Sequence, residues 1–319
     1  MIKIFSLFLL SVVTYGDFAQ TGAPPTASGH PKKVALVIGA GVYQKMPFLL
    51  NPYYDAIDFD SVLKTNGFDV QVWLHPTLKD MLIAKDSLRK VLPGASVVNV
   101  YMSGHSIEVM RQNYFLPVDA DTDSPRKLYN STFNIKGLLE MIDSANIPVT
   151  IVLLDGCRTA PENIKEFFIK RQGEPFSPHN SFFIGYASLP KQASRGNNAE
   201  RHSFFTGEFL EISRVTHYSI DQVFTRITER VKSRTKGLQT PIKESNLQMD
   251  FYLFSDTNFT TQSSEGTDSL ILKGSHGYFF PDTYKIPAAF FLSGRTRRHR
   301  RLLSFLQCVK KRPLSPKNI

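Results

Sequence analysis

Two segments of this 319-residue sequence carry side chains able to do covalent chemistry: Ser103-Gly104-His105 and Leu154-Asp155-Gly156-Cys157-Arg158. A thiol with a pKa near ~8.5 is mostly protonated and unreactive at neutral pH. A neighbouring imidazole can stabilise the thiolate and later protonate a leaving amine, so cysteine and histidine brought together make the apparatus of a cysteine hydrolase. Taken singly, each has a structural reading: Cys157 as a small apolar filler, His105 as a loop histidine bonded to backbone. What favours chemistry is that both stand beside glycine at the ends of successive apolar runs. A third segment, Gly39-Ala40-Gly41, begins like a dinucleotide fingerprint. Gln44 stands where its third glycine belongs, and Leu74-His75-Pro76 supplies no acid for a ribose, so the glycines read as a turn.

The runs that must position these groups are regular. Residues 34–38 are almost wholly apolar and closed by Gly39, as expected for a strand covered on both faces. Residues 54–65 carry Ile57, Phe59, Val62 and Leu63 at helical spacing, ended by Asn66-Gly67. Strands are predicted at 68–74, 97–102, 149–154 and 181–187, and helices at 78–92, 135–144, 203–214 and 220–232. An apolar stretch at 249–254 is the expected last strand. This alternation predicts an α/β fold, a mainly parallel sheet with helices on both faces. In such sheets the chemistry lies where loops leave the carboxyl ends of the strands. Neighbouring parallel strands are ~4.8 Å apart, so His105 and Cys157 are expected to meet across that edge.

Composition agrees with a folded chain: 42% apolar and 21% charged residues exclude a disordered, collagen-like or coiled-coil protein. Two cysteines, Cys157 and Cys308, are too few for a disulfide scaffold, and structural zinc would lack ligands. The net charge of +10 resides in residues 285–319, which hold ten basic and no acidic residues, leaving 28 basic against 28 acidic before them. No nucleic-acid partner is therefore expected; the tail reads as a solvated extension able to adhere to anionic surfaces. Residues 4–13 are apolar after Lys3, too short for the ~20 residues of a membrane span but suited to a secretory signal. The expected organisation is a signal peptide and linker over 1–23, a catalytic domain over 32–254 and a basic tail over 255–319. The protein is expected to be secreted or periplasmic, without stable membrane insertion. Asn130-Ser131-Thr132 and Asn258-Phe259-Thr260 are glycosylation sequons. Cys157 is expected to be mostly free, since Cys308 lies in the tail across a 150-residue loop (308 minus 158).

The chain resembles the caspase-like cysteine peptidases of the paracaspase and metacaspase branch. The resemblance rests on Lys33-Val34-Ala35-Leu36-Val37-Ile38-Gly39, Asn51-Pro52-Tyr53-Tyr54-Asp55-Ala56 and Tyr101-Met102-Ser103-Gly104-His105. It continues through Asn113-Tyr114-Phe115-Leu116-Pro117-Val118-Asp119-Ala120, the Cys157 segment and Ile184-Gly185-Tyr186-Ala187-Ser188, covering residues 32–254. The 52 residues from His105 to Cys157 (157 minus 105) agree with the ~50 typical of caspases.

The resemblance implies a caspase-like three-layer sandwich with Cys157 as nucleophile, His105 as general acid/base and the backbone N–H groups of Ser106 and Cys157 holding the oxyanion. The residue after the family histidine is usually glycine; Ser106 keeps the backbone donor but would be strained if a positive φ were required there. Asp155 stands where Asp-specific caspases carry glutamine. With Asp55 it matches acids that line an arginine pocket in paracaspases, and two carboxylates would bind a guanidinium and repel an aspartate. Asp55 also has a plainer reading as a helix-start acid. A third pocket acid of paracaspases has no counterpart in 189–194.

The expected function is thus a cysteine endopeptidase cutting protein or peptide substrates after Arg, then Lys, with no metal or cofactor and with calcium activation left to assay. Two alternatives stand beside it: a catalytically silent homologue that binds peptides or partners through the same cleft, and a hydrolase or transferase acting on a non-peptide substrate. Lys170-Arg171, between the nucleophile and the next strand, is an expected self-cleavage site unless 164–170 form a helix that protects the bond.

Overall fold

The short apolar runs become strands because each must be covered on both sides. Along β1 (Lys33–Gly39), Val34, Leu36 and Ile38 join one hydrophobic cluster while Ala35 and Val37 join the other, so the alternation of side chains divides the core into two layers. A computed structural model describes residues 31–254 except 172, 197–199 and 215–216. The expected signal peptide, the basic tail, Cys308 and Asn258 lie outside the described residues.

β2 (Phe68–Leu74), β3 (Val97–Ser103), β7 (Val149–Asp155), β8 (Phe182–Tyr186) and β9 (Ile242–Ser245) complete a six-stranded sheet of order β2-β1-β3-β7-β8-β9. All pairings are parallel except that of β9 with β8. On one face lie α1 (Asn51–Thr65), α6 (Phe204–Ile212) and α7 (Ile220–Arg234), packed through Phe59, Leu63, Phe209 and Phe224. On the other lie α2 (Leu78–Val91), α4 (Ile135–Asp143) and α5 (Glu162–Ile169), packed through Met81, Leu88, Leu138 and Phe168. This is the expected α/β sandwich of three layers. From β1 the chain goes to β2 on one side and then to β3 on the other, so strand order reverses at β1 and β3, where a crevice opens at their carboxyl ends.

The helix starts are set by hydrogen-bonding side chains. Thr77 and Asp80 form a capping box at α2, and Ser203 accepts from the Thr206 N–H at the start of α6.

Three features differ from the sequence reading. A small second sheet joins β4 (Ser106–Val109), β5 (Gln112–Phe115) and β6 (Phe133–Asn134), with α3 (Pro125–Ser131) before β6. The last strand is β9 rather than 249–254: the edge needs only backbone pairing, while Leu253 and Phe254 bury their side chains in the core from irregular chain. Residues 162–169 are helical, the plainer of the two readings for that segment, but the helix stops at Ile169 and so does not cover the bond after Arg171.

Candidate active site

The sheet register delivers His105 and Cys157 in step. Gly39 of β1 pairs with Ser103 of β3, which pairs with Asp155 of β7, and the Gly104 N–H extends the row by donating to the Asp155 carbonyl at 3.1 Å. His105 lies two residues beyond Ser103 and Cys157 two beyond Asp155, so both line one cleft at the carboxyl edge. Between them Gly104 is obligatory: a Cβ there would sit 2.7 Å from Tyr43 Oη and 2.8 Å from Phe115 Cζ.

His105 is buried and held at three points. Its N–H donates to Tyr43 Oη at 2.7 Å, its ring packs on the Tyr43 ring with centroids 4.6 Å apart, and Nε2 is 3.0 Å from the Pro47 carbonyl. A carbonyl only accepts, so Nε2 carries the proton and Nδ1 is the nitrogen left with a lone pair. Burial lowers the imidazole to about 4 against the opposing pull of the Pro47 carbonyl. At neutral pH His105 is therefore an uncharged base rather than a standing cation.

Cys157 is buried, and the peptide that follows it is fixed at both ends. The Ser106 hydroxyl donates to the Cys157 carbonyl at 2.8 Å, and the Arg158 N–H donates to the Gln192 carbonyl at 3.0 Å. Ser106 opens β4 and is not among the residues with positive φ, so the strain foreseen for a non-glycine residue there is absent. Arg158 ties the turn after β7 to β4 through Glu108 at 2.5 Å and lies 3.9 Å from the Tyr186 ring centre.

The sulfur itself differs from expectation. Cys157 is disulfide-bonded, and the chain's other cysteine, Cys308, lies outside the described residues. Length of the intervening chain was a weak argument for a free thiol: loop closure grows as the logarithm of length, about 0.6 kcal/mol per doubling. Cys157 Sγ is 3.7 Å from the Ser194 carbonyl, a contact that becomes a hydrogen bond only once the sulfur bears a proton.

Asp55 and Asp155 are both buried and line the same cleft. Asp155 Oδ1 accepts from Ser194 Oγ at 2.7 Å, and Oδ2 from Ser203 Oγ at 2.5 Å and Thr206 Oγ1 at 2.8 Å. Burial raises its pKa and these hydroxyls oppose the rise. Asp55 Oδ1 meets His202 Nδ1 at 3.0 Å and the Ser203 N–H at 3.2 Å, while Oδ2 has the Ser103 hydroxyl at 3.4 Å. Burial raises Asp55 to about 7; the His202 bond lowers it and the Asp155 charge raises it further. Asp55 is thus no mere helix-start acid.

Behind Asp55, His202 bridges to Asp58, with Nε2 3.0 Å from Asp58 Oδ2. Burial pulls this imidazole down, and the bonds to the two carboxylates outweigh it, raising it to about 9. From the loop where the sequence offers no third acid, Arg195 lines the cleft instead, and no ion pair joins it to Asp55 or Asp155 among the described residues.

Comparison with known proteins adds the family. The caspase domain model matches residues 32–252. The chain belongs to that family. Mucosa-associated lymphoid tissue lymphoma translocation protein 1 of Homo sapiens and its homologue in Mus musculus are similar to this caspase-family chain, each 29% identical over 139 residues. The match covers 44% of this chain and 16% of either relative, so the chain spans a small part of their length. The resemblance to caspase-like cysteine peptidases read from the motifs is borne out.

All five residues predicted for the site, His105, Ser106, Cys157, Asp55 and Asp155, lie at this edge, four of them lining the cleft and Ser106 bonded to Cys157. Sequence reasoning missed Tyr43, Pro47, Arg195 and His202. Pro47 acts through its carbonyl, which leaves no signal in residue type, and His202 lies 147 positions from its partner Asp55.

Proposed function

We propose that this caspase-family protein is a cysteine endopeptidase that hydrolyses peptide bonds after Arg, then Lys. The observation that carries the proposal is the single cleft in which His105 and Cys157 stand beside two buried carboxylates, Asp55 and Asp155.

After reduction of the disulfide, His105 Nδ1 takes the Cys157 thiol proton as sulfur attacks the substrate carbonyl. The N–H groups of Ser106 and Cys157 hold the oxyanion. Collapse of the tetrahedral intermediate breaks the C–N bond, the imidazolium protonates the leaving amine, and a thioester remains. Water, deprotonated by the same nitrogen, hydrolyses the thioester and returns the thiol. Asp55 and Asp155 bind the P1 guanidinium by charge-assisted hydrogen bonds. Export, read from the apolar run at 4–13, belongs to the same proposal.

The disulfide at Cys157 favours a second reading, a homologue held catalytically silent that binds peptides through the cleft. One experiment separates the two: the reduced full chain is incubated with an arginine-terminated fluorogenic peptide series, with and without calcium, beside Cys157→Ala and His105→Ala. Hydrolysis abolished by each substitution supports the peptidase. Activity retained by either variant sinks the dyad, and a wild type as inert as both variants selects the silent homologue.

A further inference from the structure

We propose that Ser106 is a positioning residue for the nucleophile, and that Gly156 is glycine because the Ser106 side chain fills the space a Cβ there would need. The inference deepens the peptidase reading and rests on it for Cys157's role.

The steric part is direct. A Cβ added at Gly156 would lie 2.1 Å from Ser106 Oγ, inside any real carbon contact, and 3.1 Å from Ser106 Cβ, a tight one. The Gly104 carbonyl oxygen, at 2.9 Å, is a second close atom, and because it is backbone its share of the clash remains when the Ser106 side chain is removed. Positions 106 and 156 lie 50 apart in sequence and share one volume: the hydroxyl of Ser106, where it bonds the Cys157 carbonyl, stands where a Cβ at 156 would be. The family pattern usually has glycine at the position of Ser106; this chain carries the hydroxyl there and the glycine at 156.

The positioning part follows from what the hydroxyl does. It donates to the Cys157 carbonyl at 2.8 Å, while the Arg158 N–H of the same peptide donates to the Gln192 carbonyl at 3.0 Å. A peptide plane held at both edges cannot rotate, so ψ of Cys157 is fixed, and with it the direction in which the Cα–Cβ bond presents sulfur to the cleft. Ser106 is in ordinary strand conformation, so holding this bond stores no backbone strain. The same contact keeps the backbone of residue 106 beside that of residue 157, where the two oxyanion donors belong.

The test is a double-mutant cycle on the reduced full chain, read three ways: kcat and KM on the arginine peptide, the rate of Cys157 alkylation by iodoacetamide, and Tm. Ser106→Ala keeps the volume close and removes the bond; kcat and the alkylation rate should fall about fivefold with KM changed less than twofold. Gly156→Ala should lower both rates about a hundredfold or more. The pair Ser106→Gly with Gly156→Ala should recover to within about tenfold of Ser106→Gly alone.

If Gly156→Ala is equally harmful with Ser106 and with Ser106→Gly, the shared-volume inference is overturned. If Ser106→Ala shifts Tm alone, Ser106 is merely structural. Should wild type hydrolyse no peptide while alkylation still shows the coupling, the peptidase reading fails and the positioning stands, because alkylation needs only the thiol.

Discussion

Replacing Asp155 by asparagine should separate the pocket from the fold. Oδ2 accepts from Ser203 Oγ at 2.5 Å and Thr206 Oγ1 at 2.8 Å, and the asparagine oxygen can take over both bonds. The new amide would face Ser194 Oγ, 2.7 Å from the present Oδ1, and that hydroxyl can turn to accept. The α6 cap, with Ser203 Oγ accepting from the Thr206 N–H at 3.0 Å, survives. The stability cost is then about 1 kcal/mol, a fall of roughly 2–4 °C in Tm for a domain of this size.

The substrate loses more. A hydrogen bond between a guanidinium and a carboxylate contributes about 2–3 kcal/mol, so kcat/KM on arginine should fall roughly 30- to 150-fold. The assay compares matched peptides ending in arginine and in its neutral isostere citrulline, so that any general damage to catalysis cancels in the ratio. Asp155→Asn should collapse the arginine preference by that factor and leave citrulline turnover nearly unchanged. An unchanged ratio in a protein of intact Tm would refute the pocket assignment. So would a wild type that prefers aspartate at P1, which would hand the cleft to Arg195.

Three further outcomes are expected. Burial raises Asp55 to about 7 against the bond from His202, so the carboxylate gains its charge around that point and kcat/KM on arginine peptides should rise with pH through about 7. Asp55→Asn should remove that limb of the profile, and an identical limb in the variant excludes Asp55 as its source. Hydrolysis should appear only after treatment with a thiol reductant, since a disulfide sulfur at Cys157 is not a nucleophile; non-reducing peptide mapping that finds Cys157 linked before treatment and free afterwards, with activity tracking the free form, checks this. Self-cleavage is expected after Arg171, which is exposed just beyond α5; mass spectrometry should find a new amino terminus at Gln172 in active protein and not in Cys157→Ala. The Tyr129 hydroxyl, 3.3 Å from the Arg171 carbonyl, must let go for that cut, and an intact, fully active chain rules out the cut as a requirement.

The parallel strands, and the placing of His105 and Cys157 at one cleft, were legible because burial on two faces demands unbroken apolar runs, and loops of such sheets gather at their carboxyl ends. The hairpin of β4 and β5 was not. Its four-residue strands mix Ser106, Glu108, Gln112 and Asn113 with apolar neighbours, and two of those polar residues, Ser106 and Glu108, are bonded to the distant turn after β7. The edge strand Ile242–Ser245 escaped for a related reason: three of its four residues are polar, and backbone pairing to β8 alone defines it. In the site, Asp55 and Asp155 were visible through their place beside known motifs. Tyr43 and Pro47 were not, since one acts through a phenol oxygen on a backbone N–H and the other through its carbonyl.

Ser203 carries a consequence for what the sequence is allowed to become. At an ordinary helix start serine, threonine, aspartate and asparagine are nearly interchangeable, because only an accepting oxygen is required. Here the capping oxygen also donates, to Asp155 at 2.5 Å. An ionised aspartate has no proton to give and would set another negative charge against a buried carboxylate, and the donor of asparagine lies on a different atom from its acceptor. Position 203 therefore admits only a hydroxyl side chain, so the start of α6 and the floor of the cleft can change in evolution only together.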